Sequence, residues 1–161
     1  MEGPCPARYA CYRALHHGLI EEGPSMNRSL LRILDANYNR AKEALRVTED
    51  IARFHFSDSR LTARFKRTRH DLTKALLGLK IPDRELVQAR NSNQDVGARS
   101  FIRDKKNPNW KDLFLSNLKR AQEASRVLEE VSKMNCPAAA RSFQRIRFHL
   151  YELEKESLRK F

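Results

Sequence analysis

Asparagine, arginine and glutamate recur at three-residue steps in two places: Asn37, Arg40, Glu43, Arg46 and Glu49, then Asn117, Arg120, Glu123, Arg126 and Glu129. Guanidinium groups hold phosphate oxygens through paired hydrogen bonds, and carboxylates either orient those guanidiniums or hold Mg²⁺. Arg40, Arg46, Arg120 and Arg126 are therefore candidate phosphate ligands, with Asn37 and Asn117 beside them. Glu43 and Glu123 are candidate catalytic carboxylates, and Asp50 is a candidate metal ligand. Phosphoryl transfer needs little beyond such positioning and charge neutralisation. The competing reading is structural, because Glu43 with Arg46, and Arg46 with Asp50, also have the spacing of helix-surface ion pairs. The reading that carries chemistry is a cleft between two pseudo-symmetric helices.

The polar, turn-rich run Asn91-Ser92-Asn93-Gln94-Asp95-Val96-Gly97 is a second candidate. Loops of this kind on a rigid scaffold carry function more often than their share. Asp95 would serve as catalytic acid or base, or as a metal ligand. Arg90 would bind an anion, and Gly97 would let backbone N–H groups approach one. A plain crossover turn is the alternative. His70 reads as a packing or capping residue; Trp110, the phenylalanines and Tyr151 sit at core spacing. There is no G-x-x-x-x-G-K-[ST] loop and no G-x-G-x-x-G after a strand, so side chains and helix ends would have to hold any nucleotide.

Helices must position these groups. Leu30, Ile33, Leu34, Tyr38, Ala41, Leu45, Thr48, Ile51 and Ala52 recur at steps of three and four, predicting a helix over 27–54. Ser57 or Asp58 caps a second, with Gly78 near its end; Pro82 opens a short third, Asp83–Arg90. Asn107-Pro108 reads as the start of a long fourth helix, and Pro137 starts the last. No run alternates with period two, so the fold class is all-α.

The two long hairpins are copies of one another. Asn37, Arg40, Ala41, Glu43, Ala44, Arg46, Val47 and Glu49 recur 80 residues on, and Phe65, Arg67, Arg69 and Leu72 recur 78 residues on. A duplicated hairpin predicts a four-helix-bundle-like domain with a short crossover helix and loop. The expected organisation is a disordered extension over 1–25 and one domain over 26–161, with repeat one at 27–80, the crossover at 81–107 and repeat two at 108–161.

The formal net charge of +12 favours anionic partners: phosphorylated small molecules, nucleic acid or acidic lipid. No stretch approaches the roughly 20 apolar residues of a membrane helix. Three cysteines without a C-x-x-C spacing argue against a disulfide scaffold or zinc site, and the expected compartment is the cytoplasm. A nucleic-acid-binding module would instead use an exposed basic face, such as Arg60, Arg64, Lys66, Arg67 and Lys74. A third reading is a helical docking subunit, which would show a large apolar patch.

Several motifs in order resemble one family. Asp35-Ala36-Asn37, Asn39-Arg40, Glu43, Leu45-Arg46, Glu49-Asp50 and Arg53-Phe54 look like the opening of a helical domain often fused ahead of thiamine-phosphate synthase. Arg69-His70-Asp71-Leu72 is similar to its second helix, and Ala89-Arg90 with Asp95-Val96-Gly97 to its central loop. The second repeat and Arg147-Phe148-x-x-Tyr151 resemble the remainder. That domain is assigned as a hydroxymethylpyrimidine-phosphate kinase. The resemblance implies ATP and Mg²⁺ as cofactors, a phosphorylated pyrimidine as substrate, and a separate thiamine-phosphate synthase as candidate partner, since the synthase barrel is not among these residues. The family's central arginine is usually followed by an acid; here Asn91 follows it.

Overall fold

The computed structural model describes residues 27–95 and 109–161. The expected extension over 1–25, Gly97 and the Asn107-Pro108 pair lie outside the described residues. Five α-helices form the rest: α1 (Arg28–Phe54), α2 (Ser59–Leu77), α3 (Asp83–Ala89), α4 (Trp110–Lys133) and α5 (Pro137–Ser157). Single 3₁₀ turns follow α3 at Ser92–Gln94 and α5 at Leu158–Lys160.

Local chemistry sets the boundaries. Asn27 caps α1 by accepting from the Ser29 N–H at 2.9 Å, and Asp58 caps α2 by accepting from Leu61 at 2.9 Å. Helix α4 begins later than the Asn107-Pro108 reading placed it, at Trp110. Its cap is Asn109, whose Oδ1 takes the Asp112 N–H at 2.8 Å. Pro137 occupies the first turn of α5, where its missing N–H costs nothing.

Helix α1 packs on α2, α3 and α4, and α5 packs on α2 and α4. His55, just past α1, stacks on Trp110 at the start of α4, with ring centroids 4.8 Å apart. These two helices therefore run antiparallel. Arg64 near the start of α2 pairs with Glu156 near the end of α5, so that pair is antiparallel too. The result is an antiparallel four-helix bundle in which an approximate two-fold relates α1 to α4 and α2 to α5, as the duplication predicted.

One core fills it. Leu34, Leu45, Phe65, Leu72, Phe114, Leu118, Phe143 and Leu150 are fully buried, and each large apolar side chain so buried is worth about 2 kcal/mol. The repeats differ inside the core without leaving polar groups stranded. Thr48 donates to the Leu45 carbonyl at 3.0 Å and Ser125 to the Ala121 carbonyl at 2.7 Å, so each hydroxyl is satisfied within its own helix.

The core is smaller than the aromatic spacing suggested. Phe65, Phe114 and Phe143 belong to it, but Trp110, Phe54, Phe148 and Tyr151 are exposed. Trp110 sits in the first turn of α4, where only His55 covers it. Tyr151 instead accepts a hydrogen bond from Arg147 at 3.2 Å. His70 neither packs nor caps; it stands exposed on α2.

Asp58 ties both ends of the chain's last turn to α2. The Leu61 N–H and the Lys160 ammonium hold its carboxyl below the usual carboxylate value. A lowered folded pKa contributes stability above the ordinary carboxyl pKa and loses it as pH falls through the folded value. Asp58→Ala should therefore cost about 1 kcal/mol in urea unfolding at neutral pH, and the difference from the parent should vanish on strong acidification. A difference that persists at acid pH would show that the carboxylate is not its source.

Candidate functional site

The five repeated polar positions fall into three structural groups. Asn37 and Asn117 are buried, and each donates back to the carbonyl four residues earlier: Ile33 at 2.9 Å and Leu113 at 2.8 Å. Each thus keeps only its side-chain oxygen for another partner. Glu49 and Glu129 are also buried, and each binds an arginine from the following helix. Arg69 donates to Glu49 at 2.9 Å and Arg147 to Glu129 at 2.9 Å. Arg46 and Arg126 lie on the outer side of these pairs. Arg46 reaches Glu49 and Asp50 at 3.6 and 3.4 Å; Arg126 reaches Glu129 and Glu130 at 2.9 and 2.6 Å. The third group differs: Arg40, Glu43, Arg120 and Glu123 are exposed, and among the described residues none forms an ion pair.

Only the first copy of this pattern is roofed. Ile33, Ala36, Asn37 and Arg40 follow helical spacing along one stripe of α1. Over that stripe lies the crossover, held down by Leu86 and Ala89 of α3, both buried. Arg90 caps α3 and clamps the loop to α1, its Nε and Nη2 donating to the two Asp35 oxygens at 2.6 and 2.8 Å. Asp35 is buried and also accepts from Asn39 at 3.1 Å. That carboxylate holds the Arg90 guanidinium above its ordinary pKa, and Arg90 keeps Nη1 for a further acceptor.

The clamp leaves an open cleft of about 530 Å³, within the usual size of small-molecule sites. Arg32, Arg40 and Arg90 bring three cations to it, while Ile33 and Ala36 offer an apolar wall to a flat ring. Asp95 and Asn91 line the loop side. Asn91 donates to Gln94 at 2.8 Å. An acid at that position would meet the same amide turned over, so the loop can accept either residue.

Of the residues expected from sequence, the cleft gathers Asn37, Arg40, Arg90 and Asp95. It does not gather the four repeated arginines. In an antiparallel pair, Arg46 and Arg126 lie toward opposite ends of the bundle, each held by its own carboxylates. Asp50 lies ten residues beyond Arg40, about 15 Å along α1, so it and Asp95 do not form one metal site. Glu43, Asn117, Arg120 and Glu123 line no part of this cleft, and among the described residues α3 packs on α1 alone. Among the described residues, no group of three or more His, Cys, Asp or Glu side chains could hold a metal ion. The exposed basic face proposed for nucleic acid is partly committed: Arg64 to Glu156, and Lys74 to Asp71 at 3.7 Å.

Sequence reasoning passed over Arg32 and Asp35. Both lie close to the stripe, but neither is repeated: their counterparts 80 residues on are Asp112 and Leu115. The roles of Arg69 and Arg147 had a usable signal, since they recur along with Glu49 and Glu129.

Fold and cleft define a duplicated helical bundle with an anion cleft built from side chains of one repeat and the crossover. Residues 32–156 match the ThiD2 family, and the chain belongs to it. It is 36% identical over 124 residues to a thiamine-phosphate synthase of Nostoc punctiforme, covering 76% of this chain and 34% of that protein. With the thiamine-phosphate synthase of Thermosynechococcus vestitus it shares 36% over 132 residues, 81% of this chain and 36% of the relative. The Rhodopirellula baltica protein of the same name is 35% identical over 131 residues, again 81% of this chain and 34% of the relative. The chain thus spans about a third of the length of these curated relatives. No solved structure matches it.

The three structural groups should separate under mutation. Glu129→Ala leaves Arg147 half-enclosed without its carboxylate and should lower urea-unfolding stability by about 3 kcal/mol. Glu123→Ala, one turn away and exposed, should change it by less than about 0.5 kcal/mol. Equal losses would mean that the repeated glutamates share one role.

Proposed function

We propose that this chain is an enzyme domain of thiamine biosynthesis that transfers a phosphoryl group from ATP to hydroxymethylpyrimidine phosphate, giving the diphosphate. Membership of the ThiD2 family and the thiamine-phosphate synthase relatives support the pathway. The observation that carries the reaction class is the convergence of Arg32, Arg40 and Arg90 on one cleft with an apolar wall.

The chemistry asks little of the protein. The nucleophile is an oxygen of the substrate's own phosphate, already ionised at neutral pH. It forms a bond to the γ-phosphorus as the bond to the β,γ-bridging oxygen breaks and ADP leaves. No proton has to be removed, so neither Asp95, Glu43 nor Glu123 need act as a base. The requirement is to bring two polyanions together, and the three guanidiniums do this by neutralising and orienting phosphate oxygens. Asp35 fixes Arg90 in place for that task, and Ile33 and Ala36 would face the pyrimidine ring. Asp95 would hold Mg²⁺, since that ion is usually bound by one or two carboxylates plus substrate phosphates. When bound it would supply further neutralisation of the transferring group.

The purified chain, given ATP, Mg²⁺ and hydroxymethylpyrimidine phosphate, should form the diphosphate detected by mass. Arg40→Ala and Arg90→Ala should each lower kcat/KM by about 100-fold or more, whereas Arg120→Ala, outside the cleft, should stay within about threefold. If the parent is silent but Asn91→Asp makes product, the site is a kinase silenced at that position. No product from either folded protein would overturn the assignment.

A further inference from the structure

A second cavity, of about 620 Å³, lies between α2 and α5 at the end of the bundle where α2 finishes and α5 begins. Small residues open it: Ala75 and Gly78 on one side, Ala138, Ala139 and Ser142 on the other. Ile146 adds to an apolar floor, and Lys74, Lys80 and Arg145 bring cations to the lining.

The duplication supplies an internal control. The two-fold that exchanges α2 and α5 carries this cavity onto the opposite end of the same helix pair. There Leu153 stands for Ala75, Glu156 for Gly78, Leu61 for Ala139 and Arg64 for Ser142. Leu61 and Leu153 are buried, and Arg64 and Glu156 join across the gap as an ion pair. One copy is therefore closed by packing and charge pairing, and the other is left open. The charges diverge in the same sense, for Lys74 and Lys80 stand where the closed copy has Glu152 and Leu158.

The cations of the open copy are little neutralised. Among the described residues neither Lys80 nor Arg145 meets a carboxylate, and Lys74 reaches only Asp71, at 3.7 Å. Arg145 is steadied by donating to Ser142 at 3.2 Å, which leaves its other N–H groups for a ligand. Helix α5 opens onto the same lining with no side-chain cap, adding the partial positive charge of a helix start. Burial, then the nearby Arg64, pushes His149 below its ordinary pKa, so at neutral pH it presents a neutral imidazole to the lining.

We propose that the α2–α5 cavity is a second binding site, taking a small organic phosphate of nucleoside-monophosphate type. Its phosphate sits among Lys74, Lys80 and Arg145, and its flat base lies against Ala75, Ala138 and Ile146. It is formed by α2 and α5, whereas the arginine cleft is formed by α1 and the crossover, and no residue lines both. The assignment does not depend on the kinase reading.

Calorimetric titration of the full chain with adenosine monophosphate tests this without turnover. The parent and Arg40→Ala should bind with the same affinity, and adenosine itself at least tenfold more weakly. Lys80→Glu/Arg145→Glu should weaken binding at least tenfold, and the milder Lys80→Gln/Arg145→Gln should do so in the same direction if the reversal unfolds the chain. Lys111→Glu/Lys155→Glu, which changes the net charge equally at exposed positions elsewhere, should stay within twofold. Retained affinity in both cavity variants overturns the proposal. So does an equal loss in the Lys111/Lys155 control, which would assign the binding to overall charge, or a loss in Arg40→Ala, which would place the ligand in the cleft.

Discussion

Two buried carboxylates, Glu49 and Glu129, each grip an arginine from the next helix, and the exposure of every other polar residue in the repeats follows from that grip. The Glu49–Arg69 and Glu129–Arg147 pairs lock each hairpin in one register. Such pairs contribute little net stability, because removing two charges from water offsets their attraction. Their value here is directional. With Glu49 turned inward against α2, the stripe through Ile33, Ala36, Asn37 and Arg40 must turn outward. A register slip that left either glutamate unpaired inside the bundle would be far more costly than the loss of a surface contact.

On that fixed helix a second pairing builds the cleft. Arg90 and Asp35 join the crossover to α1 through two short hydrogen bonds. Without a clamp, a loop carrying Asn91, Ser92 and Asp95 would have no defined place relative to Arg40. The same guanidinium both fastens the roof and lends positive charge to the space beneath it. That economy is possible because arginine has several donors in a rigid fork and one edge suffices for the carboxylate.

Duplication has been used unequally. The core positions and the glutamate–arginine grips are kept in both hairpins. The crossover can follow only the first hairpin, so only α1 is roofed by it among the described residues, and Asn117 and Arg120 repeat the residue types without the enclosure. Between α2 and α5 the asymmetry is reversed in kind: one end is sealed by Leu61, Leu153 and the Arg64–Glu156 pair, while the other keeps small residues and cations. A two-fold scaffold thereby carries two distinct concave sites.

The sequence by itself determined the helices, the duplication and the bundle. Steps of three and four place Leu34, Leu45, Phe65 and Phe143 on buried faces whatever their partners, and the repeat forces the two hairpins to match. It also determined that Arg40, Arg90 and Asp95 were worth attention, because isolated arginines and an acid in a polar loop have few purely structural uses. Tertiary structure alone decided which of them meet. Helix spacing cannot say that α1 and α4 run antiparallel in contact, and that arrangement is what separates Arg46 from Arg126. Nor could it single out Asp35, whose role is defined entirely by Arg90, 55 residues away. Trp110 shows the reverse limit: its spacing is that of a core residue, but its place in the first turn of α4 leaves it beyond the reach of the other helices. Periodicity reports which side of a helix is apolar; only packing reports where along its length the neighbours stop.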